Sequence, residues 1–496
     1  MRIFAQSTDG RVDPAIPPAA QLLRYLPLIW AGLVALGLFG LFYAYGYDDP
    51  YITYRYAANL GRGAGFVYNN AERVLSTTTP LYTLLLAGAG AVGLDIPLVS
   101  NAIGCLSLAL GGLAIWRLGE VWDAPLAGLV GLLLYPTFPL LVSTLGAETG
   151  LYLALILFGF LACAREQFGR AAVFLALAAL TRADGVLAAG AVGVYTLTVA
   201  RARPWHAALI YCVLLAPWFL FAWLYVGTPL PATLAAKQQQ GQMAISRGFL
   251  AGLVIQAQSY WRLPLYRIHL ALAAIGLIYS LARQRRWLLV LGWNLLYVAG
   301  YALLGVSDYF WYYAPLVAGF VVLIGLGVVA VWHGLAGAAG RRWAAGLATV
   351  VLLGLCIPQA RSLAFFGVDS RLAIYREVGE WLRTHTPADA SVGTLEVGII
   401  GYYAQRRIVD FAGLIQPEIA ARLAPTTTYE DTAMWSVERF HPTYLVLQEQ
   451  MFPRLEADAR FQTECRKAET FTRPGYPFRL SVYQCLWGAA SSGHNG

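Results

Sequence analysis

Long apolar runs separated by short polar breaks fill the chain from about residue 26 to residue 360. The first run extends from Leu26 to Tyr45, and its length of about 20 residues matches a helix that crosses a bilayer. The pattern predicts a polytopic α-helical membrane protein with about 11–13 transmembrane or re-entrant helices. The further apolar segments are 78–93, 97–116, 125–143, 147–164, 171–181, 185–200, 205–226, 265–282, 287–305, 312–332 and 343–360.

The segment 171–181 is too short to cross a bilayer as a straight helix. At a rise of about 1.5 Å per residue it reaches only about 17 Å of a hydrocarbon core that is about 30 Å thick. Helices that break inside a membrane are tolerated where they line a cavity in the protein. The helical core, which the pattern predicts over residues 24–362, is therefore expected to contain broken or re-entrant helices.

The arginines between the apolar segments predict which loops face the cytoplasm, because Lys and Arg are enriched there. The polar N-terminal tail, residues 1–23, is followed by Arg24 and is predicted to be cytoplasmic. The loops 47–77 and 227–264 are then predicted to face outside. This topology agrees with the downstream arginines only if the two segments within 78–116 make one net crossing. Those arginines are Arg165, Arg170, Arg201, Arg203, Arg283, Arg285, Arg286, Arg341 and Arg342.

The chain changes character after about residue 363. Of its 35 Lys and Arg residues 13 lie in the last 134 residues, together with 15 of its 27 acidic residues, as is typical of a water-soluble domain. Residues 363–496 are therefore predicted to form an extracytoplasmic α/β domain. Short strands are predicted in SVGTLE, RRIVDF, PTYLVLQ and FRLSVYQC, and helices in SRLAIYREVGEWLRTHT, GIIGYYA and DTAMWSVERF.

The polar stretch Tyr47–Pro80 begins with two adjacent carboxylates, Asp48 and Asp49, at the point where the first helix leaves the bilayer. Acids in such a position are costly unless they are paired or functional. One interpretation is structural: the pair caps the short amphipathic helix that follows, with Arg55 and tyrosines as interface anchors. The other interpretation is a functional site, and the residues alone leave both open.

The string DDPYITYRYAANLGRGAGFVYNNAERV, followed by STTTPLYTLLLA, resembles the first external loop of GT-C glycosyltransferases. Within that superfamily the chain is most similar to bacterial relatives of the mycobacterial terminal arabinofuranosyltransferase and, more distantly, to protein mannosyltransferases. The resemblance implies an enzyme of the plasma membrane that takes a sugar from a polyprenyl-phosphate donor. It implies transfer, with inversion, to a hydroxyl of a cell-envelope glycan, lipid or protein. It further implies that Asp48 is the general base and that Asp49 orients it or shares its role.

Further polar residues are predicted to converge beside Asp48 on the external side. Glu148, Asp184 and Asp308 all fall in external loops of the predicted topology. Helix capping is the alternative for Glu148 and Asp184. A local ion pair between Arg182 and Asp184 is a second alternative.

A leaving polyprenyl phosphate gains negative charge as the glycosidic bond breaks, so cations aimed at it stabilise the transition state. Lys237 lies in GTPLPATLAAKQQQGQ, which resembles the LPNT-type external segment of the family, although Ala232 stands where Asn is frequent. A solvated surface charge is the alternative for this lysine. Tyr54, Trp311 and Tyr312 are predicted to stack on sugar or prenyl groups or, alternatively, to form an interfacial belt. The candidate cations are Arg55, Arg182, Lys237, Arg262 and Arg267.

The composition agrees with a membrane protein, with 58% hydrophobic residues, 12% charged residues and a mean hydropathy of +0.57. The formal net charge of +8 comes almost wholly from arginine, and no nucleic-acid partner is inferred from it. Of the 6 cysteines, Cys465 and Cys485 lie on predicted elements of the external domain. They can pair in an oxidising compartment, but their spacing alone leaves this open.

No Cys or His cluster has the spacing of a zinc site, and two adjacent carboxylates are too few ligands to argue for a divalent metal. No cofactor is therefore inferred, and metal binding stays open. The rival function is a transporter or flippase of a lipid-linked sugar, which also needs broken helices and charges at membrane depth. A transporter predicts repeated halves, which the sequence does not show. A binding or scaffold protein of the cell envelope is a third interpretation.

Overall fold

The computed structural model describes residues 18–336, 354–364 and 369–488, and it has a helical core and a C-terminal α/β domain. Residues 1–17 of the predicted tail and most of the predicted segment 343–360 lie outside the described residues. The helices of the core are α1 (Pro18–Phe42), α2 (Pro50–Gly61), α3 (Pro80–Ala91), α4 (Ile96–Val121), α5 (Pro125–Leu134), α6 (Pro139–Val142), α7 (Thr149–Ala164), α8 (Phe168–Thr181), α9 (Gly185–Thr198), α10 (Trp205–Val226), α11 (Ala232–Gln242), α12 (Phe249–Arg262), α13 (Pro264–Arg283), α14 (Leu288–Leu304), α15 (Leu316–Ala336) and α16 (354–364).

Within the described residues, five helices are long and apolar enough to cross a membrane, and the bent pair α12 and α13, at 117°, gives a sixth if it counts as one span. Shorter apolar helices of 10–17 residues, among them α5, α7, α8 and α9, complete the core. The predicted class of a polytopic helical membrane protein is confirmed. The five long spans are Tyr25–Phe42, Ile96–Val121, Trp205–Val226, Arg285–Leu304 and Leu316–Gly334.

The helices that follow α1 bring the chain back to the end of α1 before α4 begins. Asn101, in the first turns of α4, donates from Nδ2 to the carbonyl oxygens of Tyr43 and Tyr45, at 2.9 and 2.7 Å. The start of α4 therefore lies at the end of α1. Helices α2 and α3 pack against each other as a hairpin, tied by a 3.1 Å hydrogen bond between the hydroxyls of Thr53 and Thr79. Only α4 then runs back through the core.

Helices α13 and α15 approach each other so closely that only glycine fits at two of the contact positions. The carbonyl oxygen of Leu323 lies 1.9 Å from the position that a Cβ would take at Gly276, and that of Leu272 lies 2.0 Å from the same position at Gly327. Small residues at such contacts let helices pack backbone to backbone in a membrane. This contact holds α13 directly against α15.

The C-terminal domain is a five-stranded sheet packed between helices. Its elements are α17 (Ser370–His385), β1 (Ser391–Thr394), α18 (Ile399–Ala404), β2 (Arg407–Asp410), α19 (Pro417–Ala420), α20 (Tyr429–Phe440), β3 (Tyr444–Gln448), α21 (Pro453–Ala457), α22 (Ala459–Glu464), β4 (Cys465–Arg473) and β5 (Tyr476–Cys485). The strand order is β2-β1-β3-β5-β4. Strand β1 pairs in parallel with β2 and β3, whereas β5 is antiparallel to β3 and β4.

The four strands predicted from the sequence are confirmed as β1, β2, β3 and β5, and the three predicted helices as α17, α18 and α20. Strand β4 escapes the sequence analysis because it lies at the edge of the sheet with most of its side chains exposed. Its sequence, CRKAETFTR, therefore lacks the apolar alternation of a half-buried strand.

The register of β4 and β5 decides the cysteine pairing that spacing left open. Cys465 begins β4 and lies directly opposite Cys485 at the end of β5, and the structure joins them in a disulfide. Disulfides form and persist in oxidising compartments outside the cytosol.

Candidate active site

The chain turns sharply between α1 and α2, and this turn directs the two acids to different parts of the protein. Asp49 directly precedes α2, and Pro50 takes the first helical position, where its missing N–H costs nothing. The Asp49 side chain makes no capping hydrogen bond to the helix, so the capping interpretation is wrong for this residue. Asp48 faces the C-terminal domain, and Asp49 faces Lys237.

The domain binds Asp48 through both carboxylate oxygens. The backbone N–H of Gly398 donates to Oδ2 at 2.9 Å, and that of Ile399 donates to Oδ1 at 2.7 Å. Burial raises the pKa of Asp48 to about 7, helped by the neighbouring carboxylates of Glu396 and Asp49 and opposed by the two backbone hydrogen bonds. Asp48 is therefore a carboxylate that is held in one orientation and binds a proton more readily than an ordinary aspartate.

Asp49 forms an ion pair with Lys237, whose side chain is only 14% exposed, at 3.3 Å between Oδ1 and Nζ. The Lys237 amine also lies over the rings of Tyr309, Trp311 and Tyr312, at 5.5, 5.4 and 5.8 Å from their centroids. Burial alone lowers the pKa of Lys237, but Asp49 and the tyrosines outweigh it and raise the pKa above its ordinary value. Lys237 is thus a charged, largely buried amine rather than the solvated surface charge that was the alternative.

Arg182 is the centre of a second charged group, and only 7% of its side chain is exposed. Its guanidinium lies 2.9 Å from Asp184 Oδ2 and 3.5 Å from Glu148 Oε1, and it donates to the Tyr301 hydroxyl at 2.8 Å. Tyr301 in turn donates to Asp184 at 2.7 Å. Glu148 and Asp184 make no capping hydrogen bonds, so the ion pair is the alternative that the structure confirms.

Tyr47 connects the two charged groups. Its ring stacks on Trp311 with 5.4 Å between centroids. Burial raises the pKa of the Tyr47 hydroxyl, and the negative charges of Glu148 and Asp49 raise it further. We call the set of Tyr47, Asp49, Glu148, Arg182, Asp184, Lys237, Tyr301, Tyr309, Trp311 and Tyr312 the charged cluster.

Arg55 is not part of the charged cluster, contrary to the predicted contact with the donor phosphate. It is buried, and its guanidinium donates to the backbone carbonyl oxygens of Tyr68, Gly401 and Arg406. These contacts join the first loop to the C-terminal domain. We therefore assign Arg55 to the contact between core and domain.

Tyr54 and Asp308 also lie apart from the charged cluster. The Tyr54 hydroxyl is buried and donates to Ser100 Oγ at 2.7 Å. Asp308 pairs with Arg247 at 3.3 Å, and both side chains are partly exposed. Two other candidate cations, Arg262 and Arg267, are exposed at and just after the end of α12.

Sequence reasoning missed Tyr47, Tyr301, Tyr309 and Glu396. Tyr47 directly precedes the acidic pair, so its position was a usable signal. Tyr301 lies within an apolar helix, where an aromatic residue is more often core, and Glu396 lies far along the chain in another domain. Nothing in their local sequence connects them to the first loop.

In the part of the chain that the structure describes, no three His, Cys, Asp or Glu side chains are grouped as metal ligands. The backbone N–H groups around Asp48 and the amine beside Asp49 donate to three of the four carboxylate oxygens of the acidic pair. The two side chains of the acidic pair face different partners in this arrangement.

The helical core with its acidic first loop, closed by an α/β domain, defines the class of this chain: it is a multi-pass membrane protein with a GT-C fold. Residues 367–484 match a family described as a domain of unknown function, DUF8728. No curated protein sequence matches this chain.

The solved structures that resemble the chain share its fold at low sequence identity. ArnT from Cupriavidus metallidurans, bound to undecaprenyl phosphate, is 14% identical with a TM-score of 0.56, over 94% of this chain and 98% of that chain. The Archaeoglobus fulgidus oligosaccharyltransferase in the apo form is 14% identical with a TM-score of 0.56, over 87% of this chain and 70% of that chain. Its complex with Zn and sulfate gives a TM-score of 0.57 at 14% identity, over 92% of this chain and 72% of that chain.

Proposed function

We propose that the chain is an inverting glycosyltransferase that moves a sugar from a polyprenyl phosphate to an acceptor hydroxyl. One observation carries the proposal: the two neighbouring acids have different partners. Asp48 is a carboxylate held by the domain, whereas Asp49 contacts a buried cation site that is built on Lys237 and Arg182. The undecaprenyl phosphate bound by ArnT, which has the same fold, supports a donor of this class. The acceptor is proposed to be a glycan, lipid or protein of the cell envelope.

Asp48 is proposed to act as the general base. As the acceptor oxygen attacks the anomeric carbon, its proton passes to the Asp48 carboxylate, and the bond between that carbon and the phosphate oxygen breaks. Polyprenyl phosphate leaves with the bonding electron pair. A base works best when its pKa lies near the working pH, and Asp48, at about 7, meets this condition.

Lys237 and Arg182 are proposed to stabilise the leaving phosphate. Both are charged side chains largely removed from water, where a fixed cation acts on developing negative charge more strongly than it does in bulk solvent. In the absence of substrate, Asp49, Glu148 and Asp184 neutralise them. The cations are thus held in place before the donor arrives.

The two acids face in different directions, which supports inversion. Asp48 lies against the domain, while Asp49 leads to the cations. A base and a leaving-group site on different sides of one turn allow the acceptor oxygen to enter opposite the departing phosphate. Trp311, which stacks on the buried ring of Tyr47 and is itself partly exposed, is proposed to offer an apolar face to a sugar or prenyl group.

The pH dependence of transfer follows from the raised pKa of Asp48. Because only the carboxylate form accepts a proton, kcat/KM is expected to rise about tenfold per pH unit below pH 7 and to level off above it. Glu396→Gln removes a negative neighbour that raises this pKa, so the rise is expected to move to lower pH. Glu469→Gln, on the exposed edge strand, is the matched control. If Glu396→Gln did not shift the pH profile of kcat/KM, the assignment of Asp48 as the general base would be contradicted.

We propose that the charged cluster and the C-terminal domain face the extracytoplasmic side. The disulfide of β4 and β5 and the arginines at the opposite ends of the helices support this orientation. A cysteine placed at Ala468, on exposed β4, is expected to react with an impermeant thiol reagent in intact cells. A cysteine at Gln284, between α13 and α14, is expected to react only after the cells are opened, and the reverse result would invert the topology.

Transfer of radiolabelled sugar by the purified protein, from an undecaprenyl-phosphate donor to an envelope fraction, tests the proposed function directly. Release of free undecaprenyl phosphate must accompany the gain of label in the acceptor. Movement of the intact lipid-linked sugar across a vesicle membrane, without cleavage, would instead establish the rival flippase.

A further inference from the structure

The C-terminal domain contacts both segments that carry the proposed catalytic groups. In the first loop, Asp48 accepts hydrogen bonds from the N–H groups of residues 398–399, at 2.9 and 2.7 Å. On α11, one turn beyond Lys237, Gln240 is 1% exposed and donates from Nε2 to the carbonyl oxygen of Ala412 at 2.9 Å. One domain therefore touches the base and the helix of the cation.

The backbone at the start of α18 fits against the first loop without space for a side chain. A Cβ at Gly398 would lie 1.9 Å from the backbone oxygen of Asp48 and 2.7 Å from Oδ2. A Cβ at Gly401, one turn later, would lie 1.9 Å from the Tyr68 hydroxyl oxygen. Both positions require glycine for close approach rather than for a special backbone angle.

The first loop also extends the sheet of the domain. The Asn69 side chain donates from Nδ2 to the carbonyl oxygen of Ile408 and accepts from its N–H through Oδ1, both at 2.9 Å. Ile408 lies in β2, the edge strand, and the side-chain amide takes the place of a neighbouring strand. A 2.7 Å ion pair between Glu72 and Arg407 lies beside it. These contacts fix the loop in position and orientation.

We propose that the C-terminal domain is a positioning part of the catalytic site, in which the backbone N–H groups of Gly398 and Ile399 aim Asp48 while the contact with α11 sets its direction relative to Lys237. The catalytic meaning of this inference rests on the proposed function. It gives a role to the domain of unknown function, because residues 367–484 include Gly398, Ile399 and Ala412, which contact the two catalytic segments.

The core already joins the two catalytic segments: the N–H of Ala232, at the start of α11, donates to the carbonyl oxygen of Leu75 at 2.7 Å. In addition, Lys237 lies over Trp311, which stacks on Tyr47. Asp49 and Lys237 add an ion pair of 3.3 Å, but none of these contacts touches the Asp48 carboxylate itself. Displacing reacting groups by about 1 Å can lower a rate by about a hundredfold. The domain, which binds the Asp48 carboxylate and also Gln240 on α11, therefore sets the direction of the base relative to the cation.

Gly398→Ala tests the inference because the added methyl group displaces Asp48 without removing any catalytic side chain. We expect kcat to fall by about tenfold to a hundredfold, with the KM for an undecaprenyl-phosphate sugar changed by no more than about twofold. Gly193→Ala is the matched control, because nothing lies within 4 Å of its added Cβ on α9.

A second readout does not depend on activity. Lys237 and Lys467 are the only lysines of the chain, and their side chains are 14% and 46% exposed. Acetylation with an N-hydroxysuccinimide ester, measured by mass spectrometry, is expected to be slow at Lys237 in the parental protein and fast at Lys467. Gly398→Ala is expected to increase the ratio of Lys237 to Lys467 acetylation at least about threefold. Moving Asp48 also moves Asp49 away from the Lys237 amine, and a less strongly paired amine loses its proton more readily.

The outcomes separate the inference from the proposed function. Unchanged kcat and unchanged Lys237 acetylation in folded Gly398→Ala protein would overturn the positioning role, whatever the parental activity. A parental protein without transfer activity would count against the proposed function, while increased Lys237 acetylation would still support the contact. If Gly398→Ala does not fold, Gln240→Ala tests the other half of the domain contact with the same acetylation ratio.

Discussion

Asp48→Asn is expected to lower sugar transfer by at least about a hundredfold. A positioned base contributes about 10²- to 10⁴-fold to a step in which a hydroxyl loses its proton, and an amide cannot accept that proton. Asparagine keeps the size of the side chain and one acceptor oxygen, so one of the two backbone hydrogen bonds, from Gly398 or Ile399, is retained. Radiolabel transfer measures the loss, and binding of the donor lipid is expected to stay close to the parental value.

Asp308→Asn is the matched control, because it removes an acid from the same side of the protein. Asp308 pairs with Arg247 away from the charged cluster, and its loss is expected to change transfer by less than about threefold. Asp49→Asn is expected to cost less than Asp48→Asn, since Asp49 holds Lys237 rather than the acceptor proton. The opposite ranking would exchange the roles of the two acids, and parental rates in both variants would remove the basis of the proposed function.

Lys237→Ala is expected to lower transfer by about tenfold to a hundredfold. A charged hydrogen bond contributes about 1.5–3 kcal/mol, and this amount is lost from the transition state when the amine is removed. The effect is expected mainly in kcat, because the charge on the phosphate grows as the bond to the sugar breaks. Single-turnover transfer from a saturating undecaprenyl-phosphate sugar measures it.

Lys467→Ala is the control for Lys237→Ala, because it removes the other lysine of the chain from an exposed pair with Glu449. Arg182→Ala is expected to reduce transfer by a similar factor to Lys237→Ala. It is also expected to lower stability, since it leaves the carboxylates of Glu148 and Asp184 without their cation. Full turnover in Lys237→Ala protein would show that another group receives the leaving phosphate.

The division of labour within the acidic pair has a simple structural origin. Two consecutive residues at a turn before a helix project to different sides, and Pro50 fixes the start of that helix. One carboxylate therefore reaches the C-terminal domain, and the other reaches α11. The first loop thus joins three parts of the protein through side chains that are neighbours in sequence.

Local patterns in the sequence determine the elements of this protein. The apolar runs specify the helices of the core, because a bilayer accepts only long or internally satisfied apolar segments. The alternation in SVGTLE, RRIVDF, PTYLVLQ and FRLSVYQC specifies four strands, because each has one face or both in the core of the domain. Edge strand β4 has no such pattern, since most of its side chains meet solvent on both faces.

The sequence also singled out Asp49, Glu148, Arg182, Asp184, Lys237 and Trp311, which the structure brings together. Charged residues beside apolar segments are conspicuous because they are costly there. The same criterion selected Arg55 and Asp308, whose contacts lie outside the charged cluster. Arg55 donates to backbone carbonyl oxygens, and Asp308 pairs with Arg247. Charge placement alone cannot tell a residue that contacts a substrate from one that joins two parts of the fold.

Only the tertiary structure decided how Asp48 is held. Gly398 and Ile399 are distant from it along the chain, and they bind it through backbone N–H groups, which every residue except proline carries. A backbone donor cannot be recognised from the type of residue that carries it. Gly398 becomes recognisable only in the folded protein, where a Cβ at this position would lie 1.9 Å from the backbone oxygen of Asp48. The sequence specified the carboxylate, whereas the packing of the domain against the core specified its partners.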